Sequence, residues 1–133
     1  MEINVFLNNI KQDFIDSCNL YHQRQIGNSI TIYKEGEEFP DLDDCHLAII
    51  GVEEERNSFD NEGCKDAPNA IRKSLYQLFN HWNDLKIIDL GNIKTGFEVE
   101  DTYFALNKVV TTLMKYRIVP IILGGSQDLT YPI

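Results

Sequence analysis

Three apolar runs separated by two segments of helical period constrain this 133-residue chain more than any other feature. The first run is Leu47-Ala48-Ile49-Ile50-Gly51-Val52, the second spans Lys86 to Leu90 and is ended by Gly91, and the third spans Ile118 to Leu123. The continuous apolar run of Leu47 to Val52 is expected of a strand covered on both faces, rather than a strand with one wet side. Between the first two runs, Asp66-Ala67-Pro68 opens a helix. Asp66 is placed to cap it, and the proline falls in the first turn, where backbone N–H groups have no helical partner. Ala70, Ile71, Ser74, Leu75 and Leu78 then recur at helical spacing and give that helix one apolar face. Asp101 to Arg117 forms the second helix, with Leu106, Val109, Val110, Leu113 and Met114 turned inward. Strand, helix, strand, helix, strand is a βαβαβ unit, so the strands should be parallel and the crossovers right-handed.

This order puts the three loops that follow the strands on one rim: Glu53–Lys65, Gly91–Glu100 and Gly124–Asp128. Residues 46–133 carry the βαβαβ pattern. Residues 1–45 read as an N-terminal extension packed on it, with a short strand at Ile3–Leu7, a short helix at Ile10–Cys18 and an alternating strand at Ser29–Tyr33. The chain stops just past its third strand, which leads to the expectation of a domain truncated there. Its bare sheet edge would then pair with another copy, so self-association is expected.

Composition narrows the partners. Twelve basic against 21 acidic residues give a net charge of −9, unsuited to nucleic acid or to an anionic membrane, both of which need clustered Lys and Arg. No apolar stretch approaches a membrane span. The N-terminal residues lack the basic region of a secretory signal. Cys18, Cys45 and Cys64 are widely spaced and odd in number, which fits inert thiols in a reducing cytoplasm. Cys64 stands apart because it lies in a polar loop.

Candidate functional residues fall on the rim. In Gly124-Gly125-Ser126-Gln127-Asp128 the glycines permit positive φ and close backbone approach, and N–H groups at a helix start favour an anion. The same residues serve equally as a tight turn capped by Ser126 or Asp128. The carboxylates of the first loop could bind a metal or a cationic substrate, but Glu53-Glu54-Glu55-Arg56 reads more readily as a solvated acidic loop. Asn61, Glu62 and Gly63 are better placed for a ligand, since long loops at a ligand rim often carry function. His22, His46 and His81 lie far apart and form no ligand pair. There is no Ser-His-Asp or Cys-His set and no Walker-type phosphate loop.

At this point the residues resemble a known family. Ile121-Ile122-Leu123-Gly124-Gly125-Ser126-Gln127-Asp128-Leu129-Thr130-Tyr131 is similar to the segment that reads Gly-Gly-Asp-His-Ser in the ureohydrolases, the arginase, agmatinase and formimidoylglutamase superfamily. Asn61 to Arg72 is similar to that family's segment of Arg-Pro-Gly, Gly-Pro and Ile-Arg. Ile50-Gly51-Val52 matches the strand before it, and Asp89-Leu90-Gly91-Asn92 resembles the family's Asp-x-Gly-Asp. The nearest variants are formimidoylglutamase-like proteins with the Gly-Gly-Ser-Gln-Asp form.

The resemblance implies a three-layer α/β/α fold around a parallel sheet, here in its N-terminal part. It also implies hydrolysis of a linear amidine, such as N-formimidoylglutamate to formamide and glutamate. Two Mn2+ ions would hold the attacking hydroxide. Asn61, Glu62 and Gly63 would line the substrate mouth, and Gln127 with Asp128 would face the metal centre. Gln127 stands where the family has a histidine ligand, and the family's later Asp-Ala-His-x-Asp and Asp-x-Asp segments are not in this chain. The 133 residues alone are therefore expected to be inactive. A metal-free pseudoenzyme or binding module on the same fold is the alternative, and an anion-binding turn at Gly124–Asp128 is a third.

Overall fold

The computed structural model describes Glu2–Ile133. Its centre is a sheet in the order β1-β4-β3-β5, with β2 also paired to β4. The three long strands are those of the apolar runs: β3 (Leu47–Val52), β4 (Ile87–Ile93) and β5 (Val119–Gly124), all parallel. β4 is buried at every position and β3 at all but its first, as continuous apolar strands require. β1 (Leu7–Asn8) runs antiparallel along the last part of β4. β2 (Thr31–Ile32) runs parallel along its first part. Residues 1–45 thus contribute two strands that share the outer edge of β4.

Two helices cover opposite faces. α4 (Val99–Lys115) starts with a reciprocal cap in which Glu98 and Asp101 accept each other's backbone N–H bonds. It ends where Arg117 takes φ +60°. Its buried residues Ala105, Leu106, Val109, Val110 and Leu113 pack with Ala48, Ile50, Val52, Ile88 and Leu90 in the main core. Each fully buried Leu, Ile or Val contributes about 1.5–3 kcal/mol. α3 (Ala67–Gln77) lies on the other face, where Leu75 packs near Ile49, Ile87 and Leu123. α1 (Gln12–Ser17) and α2 (Ile26–Ser29) are short, and Ile10, Cys18, Ile26, Ile32 and Tyr76 form a second small cluster.

Several local expectations change. Ile3–Phe6 is a 3-10 turn rather than a strand, with Ile3 buried in the main core. Gly91 does not end the second strand. It takes φ +81° and lets β4 continue to Ile93 through an irregularity opposite Ile49 and Gly51. A Cβ at Gly91 would collide with the carbonyl oxygen of Asn8. Met114 is 64% exposed because α4 turns that side away from the sheet. α3 is also rotated from its apolar stripe. Ile71 and Leu78 are 43% and 58% exposed, while Pro68, Arg72 and Tyr76 are the buried side chains. The cause is a charged partner inside the sheet, Asp89, which draws Arg72 inward.

β5 is an edge strand. The Val119 N–H donates to His46 O at 2.9 Å, inward toward β3. Alternation then puts the Pro120 nitrogen, which has no hydrogen, on the open edge, where proline costs no ladder bond. Among the described residues no helix is long and apolar enough to cross a membrane.

Candidate functional site

The rim at the carboxyl ends of β3, β4 and β5 is held together by a few buried side chains. After β5 the chain passes through Gly124-Gly125 into a 3-10 turn, Gln127–Thr130. Gly125 has φ +67°, and a Cβ there would meet the carbonyl oxygens of Val52 and Glu54 at 2.7 and 2.8 Å. Only glycine satisfies both the conformation and the close approach. Ser126 then binds Glu54 twice: its N–H and its Oγ both donate to the Glu54 carbonyl oxygen, at 2.9 and 3.1 Å. Ser126 occupies the cap position but makes no capping bond, because its hydroxyl serves this staple.

The Glu54 carboxylate is 1% exposed and receives the Arg56 guanidinium at 2.6–3.2 Å. Those charge-assisted bonds hold its pKa down to about 2, against the opposing effect of burial. Arg56 also donates to the carbonyls of Phe97 and Gly96, at 2.6 and 2.9 Å. This ion pair therefore joins the first two rim loops, and the main-chain carbonyl of Glu54 joins the third. Glu55 closes the first loop on itself, accepting from the Gly63 N–H at 2.5 Å.

The candidate residues do not converge on one point. Asn61, Glu62 and Gly63 are exposed in the loop after β3, and only Gly63 is tied down, by Glu55. Gln127 is exposed at the turn. Asp128 points the other way: its Oδ2 accepts the Tyr103 hydroxyl of α4, and its Oδ1 is buried without a partner. Asn57 donates to the same Tyr103 oxygen at 3.2 Å, so Asp128 is linked to the start of the loop that carries Asn61–Gly63. Burial, then the Asp128 bond, raises the Tyr103 phenol above its ordinary pKa. Cys18 and Cys45 are buried and Cys64 is half-buried.

These residues do not make a manganese pair by themselves. Among the described residues no group of three or more His, Cys, Asp or Glu side chains could hold a metal ion. One oxygen of Asp128 is taken by Tyr103, and Gln127 supplies only a neutral amide, a weak donor beside imidazole or carboxylate.

Sequence reasoning missed a buried polar network behind the rim. Arg72 and Asp89 are both fully buried and paired at 2.8 and 3.0 Å. Tyr76 OH donates to Asp89 at 2.7 Å, and the Gly91 N–H donates to it at 3.0 Å. Burial first, and then Asp89, pushes the Tyr76 phenol pKa upward. Arg72 also reaches Asn92, Gly91 O and Asn69 at 2.5, 2.8 and 3.2 Å. The available signal was an aspartate inside an apolar strand run, which a buried strand tolerates only with a partner.

Comparison with known proteins places this architecture. Residues 45–133 match the model of the arginase family. A formimidoylglutamase of Streptococcus pyogenes serotype M5 is 27% identical over 135 residues, covering 90% of this chain and 41% of that protein. One from Streptococcus gordonii is 27% identical with the same coverage. The chain thus spans about two fifths of the length of these relatives. Among solved structures, a Trypanosoma cruzi formiminoglutamase with Mn2+ aligns with TM-score 0.61 and 27% identity, over 67% of this chain and 33% of that one. A hypothetical agmatinase from Burkholderia thailandensis aligns with TM-score 0.65 and 21% identity over 86% and 37%, a likeness of fold.

Proposed function

Because the chain belongs to the arginase family, we propose that it forms the N-terminal part of a Mn2+-dependent hydrolase of linear amidines. In this reading the enzyme is formimidoylglutamase-like and releases formamide and glutamate. The observation that carries the proposal is the Gly124–Asp128 turn at the end of β5, inside the matched segment and stapled to Glu54. In this reading Asn61, Glu62 and Gly63 border the substrate mouth and Gln127 lies beside the metal centre. Manganese would supply an activated hydroxide. In this reading the 133 residues lack a full manganese ligand set and are expected to be inactive by themselves.

A second reading rests on a different observation. Gln127 replaces an imidazole, and Asp128 is engaged by Tyr103. Both favour a metal-free binding module on the same fold. The test is metal analysis and hydrolysis of N-formimidoyl-L-glutamate, on this chain and on a longer protein that contains it with the family's later ligand segments. The proposal expects no turnover from the 133 residues, and bound Mn2+ with glutamate release from the longer protein. A longer protein that binds no Mn2+ and releases no glutamate would overturn the hydrolase reading in favour of the binding module.

A further inference from the structure

A crevice of about 320 Å3 opens between the carboxyl ends of β3 and β4. Its position is set by topology. β3 and β4 are adjacent and parallel. The chain leaves β3 for α3 on one face of the sheet and leaves β4 for α4 on the other. Neighbouring strand ends whose connections part to opposite faces leave a gap, and open α/β sheets place ligands there. None of its lining residues belongs to the β5 turn, so a ligand role for the crevice does not rest on the hydrolase reading.

One wall is rigid and polar. Glu53, the first residue beyond β3, accepts the Asn92 side-chain N–H through Oε1 at 2.9 Å. Its Oε2 takes no hydrogen bond among the described residues. The side-chain oxygens of Asn92 and Asn69 both accept from the buried Arg72 guanidinium, which fixes both amides before any ligand arrives. The facing wall comes from the N-terminal segment and carries Asn8 and Lys11. Lys11 donates to Asn9 at 3.2 Å and lies 3.9 Å from Glu35, with 64% of its side chain exposed. An ion pair so exposed is weak, and the ammonium remains available to another anion. Phe14 supplies an apolar side.

One fixed carboxylate, one available ammonium and several amides form a lining of balanced charge. The volume is at the small end of ligand sites. We propose that this crevice binds a small zwitterion of the α-amino-acid class, with its ammonium on Glu53 and its carboxylate on Lys11. Arg72 acts behind the wall as a positioning residue, since an oriented lining lowers the ordering cost of binding.

The test is an NMR titration of the 15N-labelled chain with L-glutamine. Saturable shifts in the millimolar range are expected at the side-chain amides of Asn8, Asn69 and Asn92. Glu53→Gln and Lys11→Met should each weaken binding about tenfold. n-Butylamine and acetate, each carrying one of the two charges, should leave these signals in place at the concentration where L-glutamine saturates. Lys11 is exposed, so its variant folds and reports even if the Glu53 variant does not. The proposal is overturned by absence of saturable shifts, by undiminished binding in the variants, or by equal shifts with n-butylamine alone.

Discussion

Replacing Arg72 with methionine tests whether α3 is held by its charge or by its apolar stripe. All five N–H groups of this guanidinium have a partner: two bonds go to Asp89 and one each to Asn92, Asn69 and the Gly91 carbonyl. Methionine keeps much of the volume but leaves the Asp89 carboxylate with only Tyr76 OH and the Gly91 N–H. Both members of the pair are 0% exposed, and removing one partner of a buried pair costs about 3–5 kcal/mol. Against a domain stability of about 5–15 kcal/mol, that is a large fraction. It corresponds to a fall in Tm of roughly 10–20 °C for a chain of this size. Urea unfolding followed by far-UV circular dichroism gives the number directly. A double variant, Arg72→Met with Asp89→Leu, removes the stranded charge and should recover most of the loss, since apolar replacement of a whole buried pair is often neutral. A loss below about 1 kcal/mol in the single variant, or a double variant no more stable than the single, would refute this account.

The rim and the open edge give two further expected outcomes. Glu54 is depressed to about 2 from an ordinary 4.5, so its contribution is present above the unfolded value and lost as pH falls toward 2. The urea midpoint should decline through that window, and Glu54→Gln should decline less; an identical decline in the variant would refute the assignment. At the open edge, Val119 and Ile121 are 58% and 38% exposed, as are Ile71 and Leu78 at 43% and 58%, and α3 and β5 carry no carboxylate. We propose that the chain associates with itself there, detectable by sedimentation as concentration-dependent mass and weakened by Ile121→Lys. A monodisperse monomer at high concentration would contradict it.

The parallel core was legible because its strands are largely apolar runs, and α4 because its period is regular, although sequence reasoning missed its Glu98–Asp101 cap and the helix begins at Val99 rather than Asp101. α3 was legible as a helix but not in its rotation. An apolar stripe predicts the buried face only when no stronger partner lies elsewhere, and here Asp89 lies in the next strand, 17 residues away. The short N-terminal strands were poorly legible, since two-residue pairings leave little periodic trace and are set by the free edge of β4. The turn after β5 was legible from its glycines. The direction of Asp128 was not, because it depends on Tyr103 from a helix that the local sequence does not reveal.

The acidic run after β3 shows why composition misleads at such a rim. Successive residues at a strand end point to opposite faces of the sheet. Glu53 therefore turns toward Asn92 and the crevice beside α3, while Glu54 turns toward Arg56 and Thr102 on the α4 side. Glu55 follows the bend and caps the loop at Gly63. Three like charges that read as one solvated patch are three separate devices. The first lines a candidate ligand crevice, the second holds Arg56 against the loop after β4, and the third shapes the loop bearing Asn61–Gly63. Because backbone direction separates them, changing Glu53 should leave the Arg56 tie intact, and changing Glu54 should loosen the tie between the first two loops without emptying the crevice of its carboxylate. Deleting one residue between Val52 and Glu55 would disturb both at once, since it would exchange the faces on which the remaining carboxylates lie.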